Sequence, residues 1–424
     1  MGKSHLLMLG FILASGSLFA GCSDATTDGG SGGGAGKAGA SSAGSTSAGE
    51  GGEAGSADTT PKGPLNPQGV IVPAEAPAKL NHLLVTGTDF AQTELVSVAV
   101  DKGTVTKGET YADSDVVTVS SAGVGFALER TNDKLHIIEN GKSTATVDLT
   151  EVGSDTAAID NKAYVPFLNK SAIAIVDLGD GKVSRRIDLS AYDVAADTDK
   201  SVDVAGGVYD PTAKVAYFIL QRIDRNTIVS PEFQLACATA AALVIGIDTT
   251  TDELVDLNGS ATGKAIELKL ANPGSVAINA DGSALYVLSA GCYEAGKLKS
   301  QGVEVVDPSD GSSTVAYAPE GEDYLAQLIL TKGSDALLGS FDSAGATHWN
   351  TLDIAKGDLV GAELKDVPQA VTYDGTDLLG VQVLEDTTVG SVVRYDIATG
   401  ALTPISDSSW AGDYSVASSS ALVE

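Results

Sequence analysis

The stretch "PGSVAINADGSALYVLSAGC", Pro273 to Cys292, sets two short apolar runs on either side of an Asp-Gly pair. Asp281-Gly282 supplies a residue that tolerates the positive backbone angles of a tight hairpin turn. Taken alone, the stretch is one hairpin, and whether it recurs decides the fold. Looser versions occur at 155–167 ("DTAAIDNKAYVPF"), 206–220 ("GGVYDPTAKVAYFIL") and 369–384 ("QAVTYDGTDLLGVQVL").

Each of these precedes a second pattern: an apolar run, an acidic residue, a few turn residues usually including Gly, then another short strand. Seven copies appear. They are "VSVAVDKGTVTKG" around Asp101, "LHIIENGKSTATVDL" around Glu139, "AIAIVDLGDGKVSRRIDL" around Asp177, "LVIGIDTTTDELVDL" around Asp248, "GVEVVDPSDGSSTVAY" around Asp307, "HWNTLDIAKGDLVGAEL" around Asp353 and "SVVRYDIATGALTPI" around Asp396. The acids are 38, 38, 71, 59, 46 and 43 residues apart. That period suits one four-stranded propeller blade, with insertions in the middle copies. The pattern predicts an all-β, seven-bladed propeller of antiparallel four-stranded blades over 65–424. Leu83–Thr86 already fits a second strand, so the first copy lacks its innermost one. "DYSVASSS" (413–420) has innermost-strand character, and the C-terminal strand is expected to close the ring and remove an exposed sheet edge.

The hairpin "SVAINADGSALYVLSAG" resembles the YVTN-type seven-bladed β-propeller family, whose repeats read like "VAISPDGSLLYV". The resemblance covers about 82–420 and is specific in this copy. The family includes lactonases as well as surface-layer and lipoprotein binding modules, so the fold leaves function open.

Acidic residues outnumber basic ones, 56 to 26, for a net charge of −30. A field of that sign repels phosphate backbones and argues against nucleic acid as a partner. At the N-terminus, Lys3 precedes an apolar run too short for a stable span. The run ends in "SLFAGC", Ser17–Cys22. This resembles a bacterial lipoprotein signal, although Phe19 stands where Leu is usual. The resemblance implies cleavage after 1–21, lipid on Cys22, a membrane-anchored protein of the cell envelope and, because Ser23 is not Asp, the outer membrane. The mature chain would carry 25 basic and 56 acidic residues, a charge of −31. Gly29–Ser56 is almost entirely Gly, Ala and Ser. Such a segment buries too little apolar area to offset its ordering entropy, so 22–64 is expected to be a disordered tether reaching roughly 35 Å. A monomer is expected.

In a propeller the connection into the innermost strand and the loop between the second and third strands share one face. Several features gather there. The long insertion Ile223–Ala240 falls in that loop of blade four, and its apolar part, Leu235–Val244, is expected to form a short helix. With Cys22 lipidated, Cys237 and Cys292 fall in the corresponding loops of blades four and five, where an oxidising compartment favours a disulfide between them. Arg222, Arg225, Glu232, Phe233, Tyr293 and Trp349 lie at or near these loops and are candidate contacts for a protein, glycan or small ligand, with Arg130 placed similarly. Asp115, Asp155, Asp203 and Asp413 lead into innermost strands, and Asp366 lies close to another. Around the channel mouth their oxygens would suit a hard cation such as Ca2+, though Asp also favours such turns on conformational grounds. No cofactor is required. His82, His136 and His348 fall in different blades, a poor basis for a Ser-His-Asp or His-metal site. The leading expectation is a non-enzymatic binding module; the alternative is a lactonase-like or other metal-dependent hydrolase at the acidic mouth.

Overall fold

The computed structural model describes residues 81–423 apart from 90, 122, 156, 160, 196, 230–233, 238–239, 258–262, 280, 295–296, 320–322, 332–334, 343–345, 384–388 and 408–415. The expected signal peptide, Cys22, the tether, Glu232, Phe233 and Asp413 lie outside the described residues.

Seven antiparallel four-stranded sheets form a propeller. From channel to rim, blade two is Val116–Ser121, Val124–Glu129, Lys134–Glu139 and Lys142–Asp148. Blade three is Ala157–Ile159, Lys162–Pro166, Ala172–Asp177 and Lys182–Asp188; blade four is Val204–Asp210, Val215–Leu220, Leu243–Asp248 and Glu253–Val255. Blade five is Pro273–Ile278, Leu285–Ser289, Gly302–Asp307 and Ser312–Tyr317; blade six is Tyr324–Leu330, Asp335–Phe341, Thr347–Asp353 and Asp358–Leu364. Blade seven is Gln369–Tyr373, Leu378–Val383, Val389–Tyr395 and Leu402–Pro404. Blade one takes its innermost strand, Val416–Val423, from the C-terminus, followed by His82–Thr88, Thr93–Ala99 and Val105–Tyr111.

The burial of each strand follows its distance from the channel. Neighbouring blades cover both faces near the axis, so Val116–Ser121 is buried at every position. At the rim the blades splay apart, and Lys142–Asp148 largely alternates between exposed and partly covered residues. The apolar side chains fill the wedges between blades. One cluster joins Tyr164, Phe218, Ile245 and Val287 across blades three to five. Another joins Val85 and Val96 of blade one to Trp349 and Tyr395 of blades six and seven, across the seam.

The recurring acid has a local task. At Asp177, Asp248, Asp307, Asp353 and Asp396 the carbonyl accepts the N–H of the residue four on, at 2.8–3.0 Å. That fourth residue (Gly181, Asp252, Gly311, Gly357 or Gly400) has φ between 58° and 73°. Each side chain also accepts an N–H from inside the turn, as Asp177 does from Gly179 at 2.8 Å and Asp248 from Thr250 at 2.7 Å. Such N–H bonds to the charged form hold the carboxyls of Asp248 and Asp396 below their usual range, and at Asp307 the Ser309 hydroxyl does so first and the Ser309 N–H second. The first two copies differ. Asn140-Gly141 makes a two-residue turn with φ of 51° and 74°, and Gly103 bonds to the Ala99 carbonyl, which leaves Asp101 within the turn.

The long central spacings also have visible causes. Blade four's third strand pairs at one end with Glu253–Val255 and at the other with Ile266–Glu267, so its rim is split. Two small hairpins, Ile228–Val229 with Gln234–Leu235 and Cys292–Glu294 with Lys297–Lys299, rise from blades four and five. The helix expected over Leu235–Val244 is not what forms: Leu235 is in a hairpin and Leu243 begins a blade strand. The run Val244–Ile247, β-branched except at Gly246, pairs with Ala216–Ile219, and ladder pairing on a buried sheet overrides the local apolar run.

Candidate functional site

On the face that carries both hairpins, the residue leading into an innermost strand meets the residue that follows the second strand. Arg130 N–H donates to the Asp115 carbonyl, Gln221 to Asp203 and Ala290 to Asn272, each at 3.0 Å. This backbone frame is shared by blades two, four and five.

In blade two, the Asp115 carboxylate accepts the Arg130 guanidinium, with Nε at 2.9 Å and a second, shorter bond from Nη2. Buried Asp113 supports the pair by accepting N–H bonds from Asp115 and Thr131 at 2.8 and 3.0 Å. In blade four, Asp203 is fully buried and takes the left-handed conformation, φ 49°, which Asp adopts more readily than most residues. Its Oδ1 accepts Arg225 Nε at 2.6 Å, while Oδ2 has no hydrogen-bond partner among the described residues. Burial pushes the Asp203 carboxyl up to about 7; Arg225 pulls it down, and the charges of Asp199 and Asp197 add to the rise. Arg225 Nη2 continues to Gln221 Oε1 at 2.5 Å, and Gln221 Nε2 reaches Asn272 Oδ1 and the Pro273 carbonyl at 3.0 and 2.9 Å. A polar chain thus ties blade four to blade five. Gln221 and Asn272 carry no signal in the sequence, because their partners lie about fifty residues away.

The remaining strand-leading acids are placed differently. Asp155 is fully buried, and its Oδ2 accepts Gly207 N–H of blade four at 3.2 Å. Gly207 leaves room for Phe218, whose ring lies 2.5 Å from where a Cβ would stand. Asp366 is exposed, with φ 57°. Among the described residues these acids do not assemble into one ligand set. The group that does is Asp197, Asp199 and Asp224, one oxygen of each lying within 4.8 Å of the others.

Cys237 and Cys292 form a disulfide with Cα atoms 4.8 Å apart. Beside it, Ala236 and Tyr293 make a parallel bridge, and Cys237 N–H donates to the Tyr293 carbonyl at 3.3 Å. The two hairpins are therefore one covalently joined unit over adjacent blades. Arg222 closes its neck: Nε donates to the Tyr192 carbonyl at 3.1 Å and Nη1 to the Ala241 carbonyl at 2.8 Å. Burial holds its pKa below the usual value. Tyr293 stacks on Tyr324, which leads blade six, with ring centroids 6.1 Å apart and the hydroxyls in contact. Trp349, expected near a loop, sits inside blade six's third strand at 4% exposure, its ring against Gly339.

His82, His136 and His348 lie in blades one, two and six. His136 is buried between Glu129, 3.0 Å from Nε2, and Thr146, 3.1 Å from Nδ1.

No protein-family model matches the chain, and no curated protein matches it. Solved structures do. A candidate 6-phosphogluconolactonase from Bacteroides fragilis aligns over 82% of this chain and 100% of its own, with TM-score 0.51 and 13% identity. A second, from Bacteroides uniformis, aligns over 80% and 98%, with TM-score 0.49 and 14% identity. BamB from Moraxella catarrhalis aligns over 70% and 78%, with TM-score 0.43 and 12% identity. At such identities the likeness is one of fold alone.

Proposed function

We propose that the chain is a lipid-anchored binding module of the bacterial cell envelope, of the YVTN-like type, which offers its hairpin face to a protein, glycan or small ligand. The reading rests on one feature. A pair of hairpins, cross-linked by Cys237–Cys292, rises over blades four and five on a single face. A plain spacer needs no such rigid elaboration, whereas binding surfaces are characteristically carried on loops fixed by a rigid scaffold. Two carboxylates that a hydrolase at the channel mouth would call upon, Asp115 and Asp203, are engaged by Arg130 and Arg225, which favours binding over hydrolysis. The net negative charge suits cationic partners and argues against nucleic acid.

The test is photo-cross-linking in cells. A cross-linking residue at Glu294, exposed on the blade-five hairpin, should capture a partner, and one at Ser283, on the opposite face, should not. Capture from both positions alike, or from neither, rejects the assignment of this face. Anchoring is checked in the same cells: Cys22→Ala should move the protein out of the membrane fraction.

A further inference from the structure

The geometry points to a binding site for a hard divalent cation of the Ca2+ class, formed by the carboxylates of Asp197, Asp199 and Asp224. Asp197 and Asp199 lie in the connection from blade three into blade four, and Asp224 at the root of the blade-four insertion. Calcium binds oxygen at about 2.3–2.6 Å, so two ligands on one ion can stand at most about 5 Å apart. One oxygen from each of the three acids lies within 4.8 Å of the other two.

Proximity alone would not carry the inference, but the state of Asp197 does. It is 4% exposed, its Oδ1 accepts Asp199 N–H at 3.1 Å, and its buried Oδ2 has no hydrogen-bond partner among the described residues. A carboxylate grouped with two others, with one of its buried oxygens unpartnered among the described residues, lacks its counter-charge. The nearby cations are directed elsewhere. Lys200 Nζ donates to the carbonyls of Asp197 and Ala195, at 2.5 and 3.5 Å, and the Arg225 guanidinium goes to Asp203 and Gln221. Asp203 adds a second orphaned oxygen, Oδ2, and its electrostatic environment includes both Asp197 and Asp199.

The other two acids are already oriented from outside. Asp199 accepts N–H bonds from Ser201 at 2.9 Å and Arg225 at 2.7 Å. Asp224 accepts Thr198 Oγ1 at 2.9 Å and Asn226 N–H at 3.0 Å. Each carboxylate oxygen can accept more than one bond, so these contacts leave lone pairs for a metal while fixing where they point. The donor set is all oxygen with no His or Cys, which selects hard cations over zinc or copper. Flexible carboxylates on two loops suit Ca2+ better than Mg2+, which demands near-ideal octahedral geometry. An ion here would clamp the connection at 197–203 to the root of the insertion at 221–227, and so would set the rigidity of the hairpin that carries Cys237. The inference stands whether or not that face binds a partner.

The experiment uses the full chain, stripped with chelator and titrated with CaCl2 alone. Calorimetry should give one site with an affinity in the range of extracellular calcium modules, about 10−4 to 10−3 M, and the melting temperature should rise with Ca2+. Asp199→Asn and Asp224→Asn, each checked for a cooperative melt, should weaken binding at least tenfold, while Asp155→Asn should leave it unchanged. Hydrogen exchange of the wild-type chain locates the ion without any substitution: Ca2+ should slow exchange in 197–203 and 221–229. No heat and no melting shift up to about 10 mM Ca2+, wild-type affinity in either folded variant, or protection confined to other segments would each overturn the site.

Discussion

His348, in the third strand of blade six, stands between two carboxylates: Nδ1 lies 2.8 Å from Glu363 and Nε2 3.5 Å from Asp342. The Glu363 hydrogen bond is the largest influence and raises the imidazole pKa above its usual 6.5. A group whose pKa rises on folding stabilises the fold fully below its unfolded pKa and loses that contribution as pH climbs through the folded value. The Glu363 carboxyl moves the opposite way, held down first by Lys365 and then by His348, and its contribution fades as pH falls through its own lowered value. Glu363→Gln should therefore cost more stability near about pH 6 than near about pH 8. The cost stays below about 1 kcal/mol because the pair is a third exposed. Proton NMR titration of the imidazole together with urea unfolding at both pH values checks this; an equal cost at both would contradict it. The sequence assigned this histidine no catalytic company, but it could not reveal the acid pair, since Asp342 and Glu363 reach His348 only through strand pairing. The turn acids were legible for the converse reason: Asp177, Asp248 and their equivalents bond within four residues of themselves.

At the scale of the element, the two inserted hairpins are each too short to persist alone, with strands of two or three residues. Their persistence rests on the cross-link, the Ala236–Tyr293 bridge and the Arg222 clamp at the neck. Closing a loop of 55 residues removes denatured-state entropy equivalent to about 4 kcal/mol in the chain-entropy account, and disulfides typically deliver about 2–4. The Cys237→Ser, Cys292→Ser double variant should lose stability in that range in denaturant unfolding. Its backbone amides at 223–241 and 292–299 should also exchange faster than in the wild type. Unchanged exchange there would mean that the hairpins hold without the bond. The pairing of the two cysteines could be read from their loops, but the form of the insertion could not. Leu235–Val244 reads locally as a helix. What decides against one is the buried partner strand Val215–Leu220, some twenty residues earlier.

The whole ring depends on a single seam. Val416–Val423 pairs along His82–Thr88 from His82 opposite Val423 to Thr88 opposite Val416, with a bulge after Thr86. The missing innermost strand of the first repeat made this closure readable in advance, because a propeller without it would expose a full strand edge to solvent. The packing behind the seam was not readable. Val423 is 4% exposed and lies in a cluster with Leu84, Leu95 and Ile138, joining blades one and two. Gly125 of blade two faces it so closely that a Cβ there would stand 2.5 Å from Leu84 and 3.0 Å from Val423. Val423→Ala should cost about 2 kcal/mol through the cavity it leaves. Val423→Asp places an unpaired charge among apolar side chains and should cost several kcal/mol more. Removal of 416–424 should go further, because it strips blade one of its innermost strand, removes that strand's packing on the innermost strands of blades two and seven, and bares a full strand edge. The expected result is a broad, low-temperature melt with dye-binding and aggregation, in place of one cooperative transition. If the truncated chain instead melted as sharply and as late as the intact one, ring closure by the C-terminal strand would contribute nothing to stability, and the cohesion of the molecule would have to reside in the wedge between blades three and five, where Tyr164, Phe218, Ile245 and Val287 form the largest continuous core.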